Sequence, residues 1–343
     1  KNNVPEVGQN AKQNHLDKGT IDCCILTTSS LNAVHNVSRL VCHCGQQKAI
    51  VRASMNEYKC IDVKPFGANI GAEIKGIDIT SPLEKETVRE IKAAWQTHLV
   101  LLFREQNLEP KQHMSFAQNF GEPQTAGFVP TLKEFPFIRH QELNKNSEEK
   151  ISKIGGANLI WHHDDSFWEM PSKGSILHAL DVPHVGGDTL FVSMIAAYNA
   201  LSGEMQSIVD NLTCYHDLTF YIQDTIIEEM GIQALERIKK ENPPVEHPLV
   251  VVQPKTGKKA LYVDEMHVSQ IKEMHPDESK CLLEFLYQHT SKPEFQCRVR
   301  WSNNAVIMWD NLCVKHRGVH DFGTAHREMQ RVALVGEHRP KAP

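Results

Sequence analysis

The chain has 343 residues, 41% hydrophobic and 23% charged, the balance of a globular protein rather than a disordered or fibrous one. Its net charge of −5 and the absence of a Lys/Arg-rich run exclude the electrostatic footprint of a nucleic-acid binder. The longest apolar run, Leu99 to Phe103, is far too short to span a bilayer, and no secretory pattern is present near the start. Nine cysteines, an odd count at scattered spacing, argue against a disulfide framework and for a reducing, cytoplasmic setting. Cys60, Cys214, Cys281, Cys297 and Cys313 lie in apolar contexts and are expected to be buried thiols.

Residues 1–54 differ from the rest. They are rich in Asn, Gln, Ser, His and Cys, lack sustained periodicity and do not begin with Met. They are expected to be a disordered, tag-like or non-native extension, with a single domain over 55–343 opening at Met55. Cys42-His43-Cys44, with Cys23 and Cys24 upstream, lacks the paired spacing of a zinc site. From Tyr58 to Ile79 the pattern predicts short strands with turns at Gly67, Gly71 and Gly76. Ser81-Pro82-Leu83-Glu84 reads as a capping box, and Val88, Ile91 and Trp95 predict a helix to about Thr97. A buried strand at 99–103 and a helix over 110–120 follow. Residues 123–157 are polar and punctuated by Pro and Gly, which predicts a long functional loop.

Strands are predicted at 174–180 and 189–192, helices at 193–211 and 225–240, and a hairpin over 248–263. A helix covers 276–288. Phe295, Cys297, Val299 and Trp301 alternate with polar residues, and strands close the chain at 305–309 and 331–335. Many short strands with one inserted cluster of helices predict a mainly β antiparallel sandwich or jelly roll rather than a βαβ fold.

The chemistry gathers at Ile160-Trp161-His162-His163-Asp164-Asp165-Ser166-Phe167-Trp168, which holds two overlapping His-x-Asp pairs. On an extended strand, residues i and i+2 face the same side, so either pair can offer an imidazole and a carboxylate to one ion. A third ligand must come from afar, and His316 in the run Trp309 to Gly318 is the candidate. Two His and one carboxylate with open positions suit a non-haem Fe(II) oxygenase. With 19 His, about one His-x-Asp pair is expected by chance, so the pair alone is weak evidence.

Its company is more specific. Trp161-His162-x-Asp164-x-Ser166-Phe167, then Gly186-Gly187-Asp188-Thr189, then Trp309-Asp310-Asn311 leading to His316, then Arg327 and Arg331, make the region from Met55 to about Arg339 resemble the taurine / 2,4-D dioxygenase family of Fe(II)- and 2-oxoglutarate-dependent oxygenases. The aryloxyalkanoate (phenoxypropionate) branch is the most similar in appearance. Thr189 lies 25 residues after Asp164, and Arg327 lies 11 after His316, as in that family.

The resemblance implies a double-stranded β-helix (jelly roll, cupin-like) with Fe(II) on His162, Asp164 and His316, because the family's His directly follows Trp. The other pair would then point to the opposite face if the segment is extended. It implies 2-oxoglutarate as co-substrate, its distal carboxylate held by Arg327 and Thr189, and O₂ as oxidant. Arg331 matches an arginine at the anion end of the site and is open between co-substrate and substrate. Asn158 matches a polar pocket position, and Asp165 and Phe128 are candidates to face substrate. No catalytic residue beyond the metal centre is expected.

Relatives specific for taurine carry histidines just after the Phe-Gly-Glu that is Phe120-Gly121-Glu122 here. This chain reads Pro123-Gln124-Thr125-Ala126-Gly127-Phe128-Val129-Pro130 instead. The implied substrate is therefore a small organic anion with an aromatic or alkyl body, an aryloxyalkanoate, sulfonate or alkyl sulfate, rather than taurine itself. The alternatives are a taurine dioxygenase proper, a zinc hydrolase, and a non-catalytic cupin-like binding protein. No membrane or nucleic-acid partner is expected, and a homo-oligomer is left open.

Overall fold

The structure, a computed structural model, describes residues 58–125, 130–143 and 159–343. These belong to one compact unit, Asn56–Pro343. The expectations for residues 1–54, for Phe128 and for Asn158 lie outside the described residues.

In chain order, β1 (Asp62–Pro65) pairs antiparallel with β2 (Ala72–Lys75) through a turn that needs Gly71 at φ 94°. Helix α1 (Lys85–His98) buries Ile91, Ala94 and Trp95 along one stripe. The predicted capping box at Ser81 to Glu84 does not form: Glu84 is the N-cap and makes no side-chain cap bond. The polar residues just upstream close a turn of their own, Asp78 Oδ1 accepting from Thr80 N and Oγ1. Strand β3 (Val100–Phe103) and helix α2 (Pro110–Gln118) come next, and α2 carries a true capping box between Glu109 and Gln112.

The stretch expected to be loop contains two strands, β4 (Thr131–Leu132) and β5 (Phe135–Leu143). Most of their residues are half-buried or exposed, so the alternation that marks a strand in sequence is faint. Then come β6 (Gly174–Asp181), β7 (Thr189–Ser193), α3 (Met194–Asn199), α4 (Gly203–Val209), β8 (Thr213–His216), α5 (Gln223–Met230) and α6 (Ile232–Glu241). Each of the two long helices expected here is thus a pair. Ser202 starts α4 by accepting from Met205 N, and Gly231, at φ 84°, separates α5 from α6. The chain ends with β9 (Val245–Pro248), β10 (Val250–Val252), β11 (Lys259–Leu261), β12 (Val268–Ile271), α7 (Pro276–Thr290), β13 (Gln296–Val299), β14 (Val306–Asp310), β15 (Val314–Gly318) and β16 (Arg327–Leu334).

The main sheet has the order β1-β2-β3-β14-β6-β16-β5-β4, and a smaller sheet has the order β13-β7-β15. Alternate residues of the main sheet serve different cores. Leu101, Phe103, Val306 and Met308 join the core that includes Ile91 and Trp95 of α1 and Phe116 of α2. Val100, Leu102, Ile307 and Trp309 join the core that includes Phe191 of β7 and Val314 of β15. Burial on both faces explains why β3 and β14 read as unbroken apolar runs. The result is the jelly-roll, cupin-like fold, with two small sheets (β10-β11 and β12-β8-β9) added between β7 and β13. Of the five cysteines expected to be buried, Cys214, Cys297 and Cys313 are, whereas Cys60 and Cys281 are exposed. Among the described residues no helix is long and apolar enough to cross a membrane.

One buried histidine sets a pH limit. His113 on α2 is fully buried, and its Nε2 lies 3.1 Å from the Ile176 carbonyl. Burial, helped by the neighbouring His178, pushes its pKa down from 6.5 to about 3. The unfolded chain therefore takes up this proton near pH 6.5, while the folded chain refuses it until about 3. Stability should fall as pH drops through that window, by about 2–3 kcal/mol from this group at about pH 4.5. Urea unfolding of wild type and His113→Gln at both ends of the window tests this. The variant should lose less stability on acidification, and parallel pH profiles would refute the assignment.

Candidate metal centre

The site begins where the run 160–168 meets β15. His162 and His316 form an isolated antiparallel bridge, each backbone N–H donating to the other's carbonyl at 3.0 and 2.9 Å. Residues paired in this way project their side chains to the same face, and the two rings lie with centroids 4.3 Å apart. His316 is stacked on Phe191 and lies beside Trp309, so packing holds its ring. His162 is oriented by a hydrogen bond from Nδ1 to the Ile160 carbonyl, 2.7 Å, which leaves the Nε2 lone pair exposed to the site.

After His162 the chain turns. The Asp164 backbone is clamped by Asn311, whose Oδ1 accepts from Asp164 N at 2.9 Å and whose Nδ2 donates to the Asp164 carbonyl and to Ser172. Asn311 is the third residue of the Trp-Asp-Asn run, and this clamp is its role in the fold. The Asp164 carboxylate accepts from Ser175 Oγ through Oδ2 at 2.9 Å and from Arg331 Nη1 through Oδ1 at 2.6 Å. That same Oδ1 lies 3.8 Å from His162 Nε2 and 3.9 Å from His316 Nε2. Three ligand atoms on three buried residues thus converge, all within 4.8 Å of one another.

Electrostatics favours the metal-ready protonation states. Burial would raise the Asp164 carboxyl, but the charge of Arg331 outweighs it and holds the group well below the usual carboxylate range. Burial pushes both His162 and His316 below 6.5, so the imidazoles are neutral. Neutral imidazoles and an ionised carboxylate are the forms that bind a metal.

The competing pair goes elsewhere. His163 is buried on the other side, where its backbone N and ring Nδ1 both lie 3.3 Å from Asp264 Oδ2. Asp165 does not continue the alternation. It sits at φ 58° in the turn, and its Oδ1 accepts from Arg139 Nη2 at 3.4 Å. Trp161 and Trp309 are buried in the core, while Phe167 and Trp168 are half-buried.

Thr189, at the start of β7, accepts from Trp301 Nε1 at 3.0 Å, which leaves its own hydroxyl proton to donate. Arg327 opens β16, and its Nε is buried without an acceptor among the described residues. Burial lowers its pKa to about 10, so it is a cation at neutral pH. Gly187 lies beside it at φ 72°; a Cβ there would press on Phe322 Cδ1 at 3.3 Å but meet Arg327 only in ordinary contact at 3.7 Å. A half-buried guanidinium with an unused Nε–H is what a dicarboxylate co-substrate requires, and the His-Asp-His set is what a divalent iron requires.

Sequence reasoning missed three participants. Arg139 on β5 stands directly opposite Arg331 on β16, both nearly buried. Ser175 holds the free oxygen of Asp164. Asp264 collects the backbone N–H groups of Met266 and His267 as well as His163, and so ties the segment 160–168 to the added sheets. None of the three has a sequence signal, because each acts through a partner more than ten residues away.

The family described as taurine catabolism dioxygenase TauD, TfdA family matches residues 62–333. The chain is 33% identical over 287 residues to an alpha-ketoglutarate-dependent 2,4-dichlorophenoxyacetate dioxygenase of Cupriavidus pinatubonensis, covering 80% of this chain and 97% of that one. It is 32% identical over 282 residues to an alpha-ketoglutarate-dependent sulfate ester dioxygenase of Pseudomonas putida, covering 81% and 90%. A crystal structure of a taurine dioxygenase from Burkholderia xenovorans superimposes with a TM-score of 0.70 at 32% identity, covering 83% and 92%. The chain therefore belongs to the TauD/TfdA family and is a 2-oxoglutarate-dependent non-haem iron dioxygenase that uses Fe(II), 2-oxoglutarate and O₂.

Proposed function

We propose that His162, Asp164 and His316 hold the Fe(II), that Arg327 and the Thr189 hydroxyl hold the distal carboxylate of 2-oxoglutarate, and that the substrate is a small organic anion of the aryloxyalkanoate, sulfonate or alkyl sulfate type. The observation that carries this reading is the buried, convergent His-Asp-His set together with an Arg327 Nε–H that is buried without an acceptor among the described residues. Iron with 2-oxoglutarate and O₂ supplies the oxidation, which hydroxylates a substrate carbon, releases succinate and CO₂, and splits a C–O or C–S bond when that carbon bears oxygen or sulfur.

The protein's own part is positioning. Asn311 and Ser175 fix the carboxylate, and the Ile160 carbonyl fixes the His162 tautomer. Arg331 keeps Asp164 ionised, and with Arg139 opposite it offers positive charge to an anion beside the metal. Asp165 tempers that charge through Arg139, so one negative group on the substrate is better matched than two. No general base is needed. Asn158 and Phe128 enter the proposal from sequence alone, Asn158 as a polar residue on the co-substrate side of the pocket and Phe128 on the substrate side. A cytoplasmic setting is part of the same reading and accords with five described cysteines that are all free thiols.

The test is a screen of sulfonates, alkyl sulfates and aryloxyalkanoates for stimulated succinate formation. Stimulation should require both Fe(II) and O₂, and the apolar acids should outperform taurine. A response to taurine alone would overturn the substrate reading, and anaerobic hydrolysis with zinc would overturn the oxygenase reading.

A further inference from the structure

A second group of metal-ligating side chains lies where β5, β6 and β16 run side by side in the main sheet. Glu142 of β5, Glu328 of β16 and His326 just before β16 each offer one ligand atom, all within 4.8 Å of one another. Register shows why they meet. Glu328 stands directly across from Glu142 on one side and from Asp181 of β6 on the other. Three carboxylates therefore form a row across three adjacent strands, where like charges standing opposite one another repel and an added positive charge is stabilising.

The surrounding hydrogen bonds have the form of ligand-orienting contacts. His326 Nδ1 lies 2.7 Å from Asp181 Oδ2, so an N–H there donates to the carboxylate and turns Nε2 toward Glu142 Oε1, 3.2 Å away. His140 Nε2 lies 2.8 Å from Glu328 Oε1 and fixes that second carboxylate. A carboxylate behind a histidine, holding its tautomer and aiming the other nitrogen, is a recurrent feature of protein metal sites. The side chains of Glu142, Glu328 and His326 are 19%, 29% and 31% exposed, enough for an ion to enter and keep a water.

We propose that His326 Nε2, Glu142 and Glu328 form a second divalent-cation site, with Asp181 and His140 orienting the ligands. One imidazole and two carboxylates suit Zn²⁺, with ligand distances of about 2.0–2.2 Å, so the three atoms must close by less than about 1 Å from their present spread. His326 and Glu328 flank Arg327 in sequence, so an ion here staples β5, β6 and β16 together and holds the backbone that carries its guanidinium.

The test uses the full chain, stripped by a chelator and dialysed against Zn²⁺, with bound zinc counted by elemental analysis. Wild type should bind two ions. Glu328→Gln and His326→Gln should bind one, His162→Ala one, and the double variant His162→Ala/Glu328→Gln none. Failure of the triad reading would show separately, as His162→Ala binding the same count as wild type. If Glu328→Gln keeps the wild-type count, the second site is absent. Melting adds an independent readout. Glu328→Gln relieves the row of carboxylates, so it should melt at or above wild type without metal and below wild type with Zn²⁺. Melting below wild type under both conditions means a metal-free ion-pair network and overturns the proposal.

Discussion

Asp164→Asn is expected to abolish iron-dependent succinate formation, because it removes the only carboxylate of the triad and does so in a fully buried setting. The substitution also leaves the Arg331 guanidinium without its 2.6 Å partner. Breaking a buried ion pair by removing one member costs about 3–5 kcal/mol, so the metal-free variant should also be measurably less stable to urea. His162→Ala should lose iron in the same assay. His163→Ala should keep it, because His163 faces Asp264 rather than the triad, and its cost should appear as stability alone. Iron counted by elemental analysis separates the two histidines. Retention in His162→Ala with loss in His163→Ala would reverse the ligand assignment.

Arg327→Gln is expected to raise the KM for 2-oxoglutarate by about two orders of magnitude, since a charge-assisted contact to a buried carboxylate is worth about 3 kcal/mol. Iron binding should be unaffected, because among the described residues Arg327 makes no contact with the triad, whereas Arg331 does. Arg327→Lys should recover only part of the loss, because an ammonium retains the charge without the planar fork that meets both carboxylate oxygens. A steady-state titration of 2-oxoglutarate at saturating substrate checks this. An unchanged KM in Arg327→Gln would move the co-substrate site elsewhere. Full rescue by lysine would mean that charge, and not fork geometry, holds the carboxylate.

Much of this chemistry was legible before any coordinates. The His-x-Asp run, the Thr at its fixed remove, and the His followed by two Arg are residues whose types alone restrict what they can do. Their order along the chain carried the family resemblance. The strongly buried strands were also legible, because β3 and β14 are apolar on both faces. Helix ends were less so: Ser202 and Gly231 each divide a helix through one cap or one dihedral, a local event that average periodicity smooths over.

The sequence by itself determined the metal-ligating residue types, the family and the jelly roll, since these rest on local pattern and on spacing. Tertiary structure alone decided which groups face one another. It set Arg331 on Asp164 rather than toward solvent, placed Arg139 across from it, put Asp264 behind His163, and aligned Glu142, Glu328 and Asp181 in one row. The Arg139–Arg331 pair and the row of acids follow from strand register, the other two from the turns that carry Asp164 and Asp264, and both join residues far apart in the chain. A one-residue slip would turn every such side chain to the other face without changing a letter of the sequence.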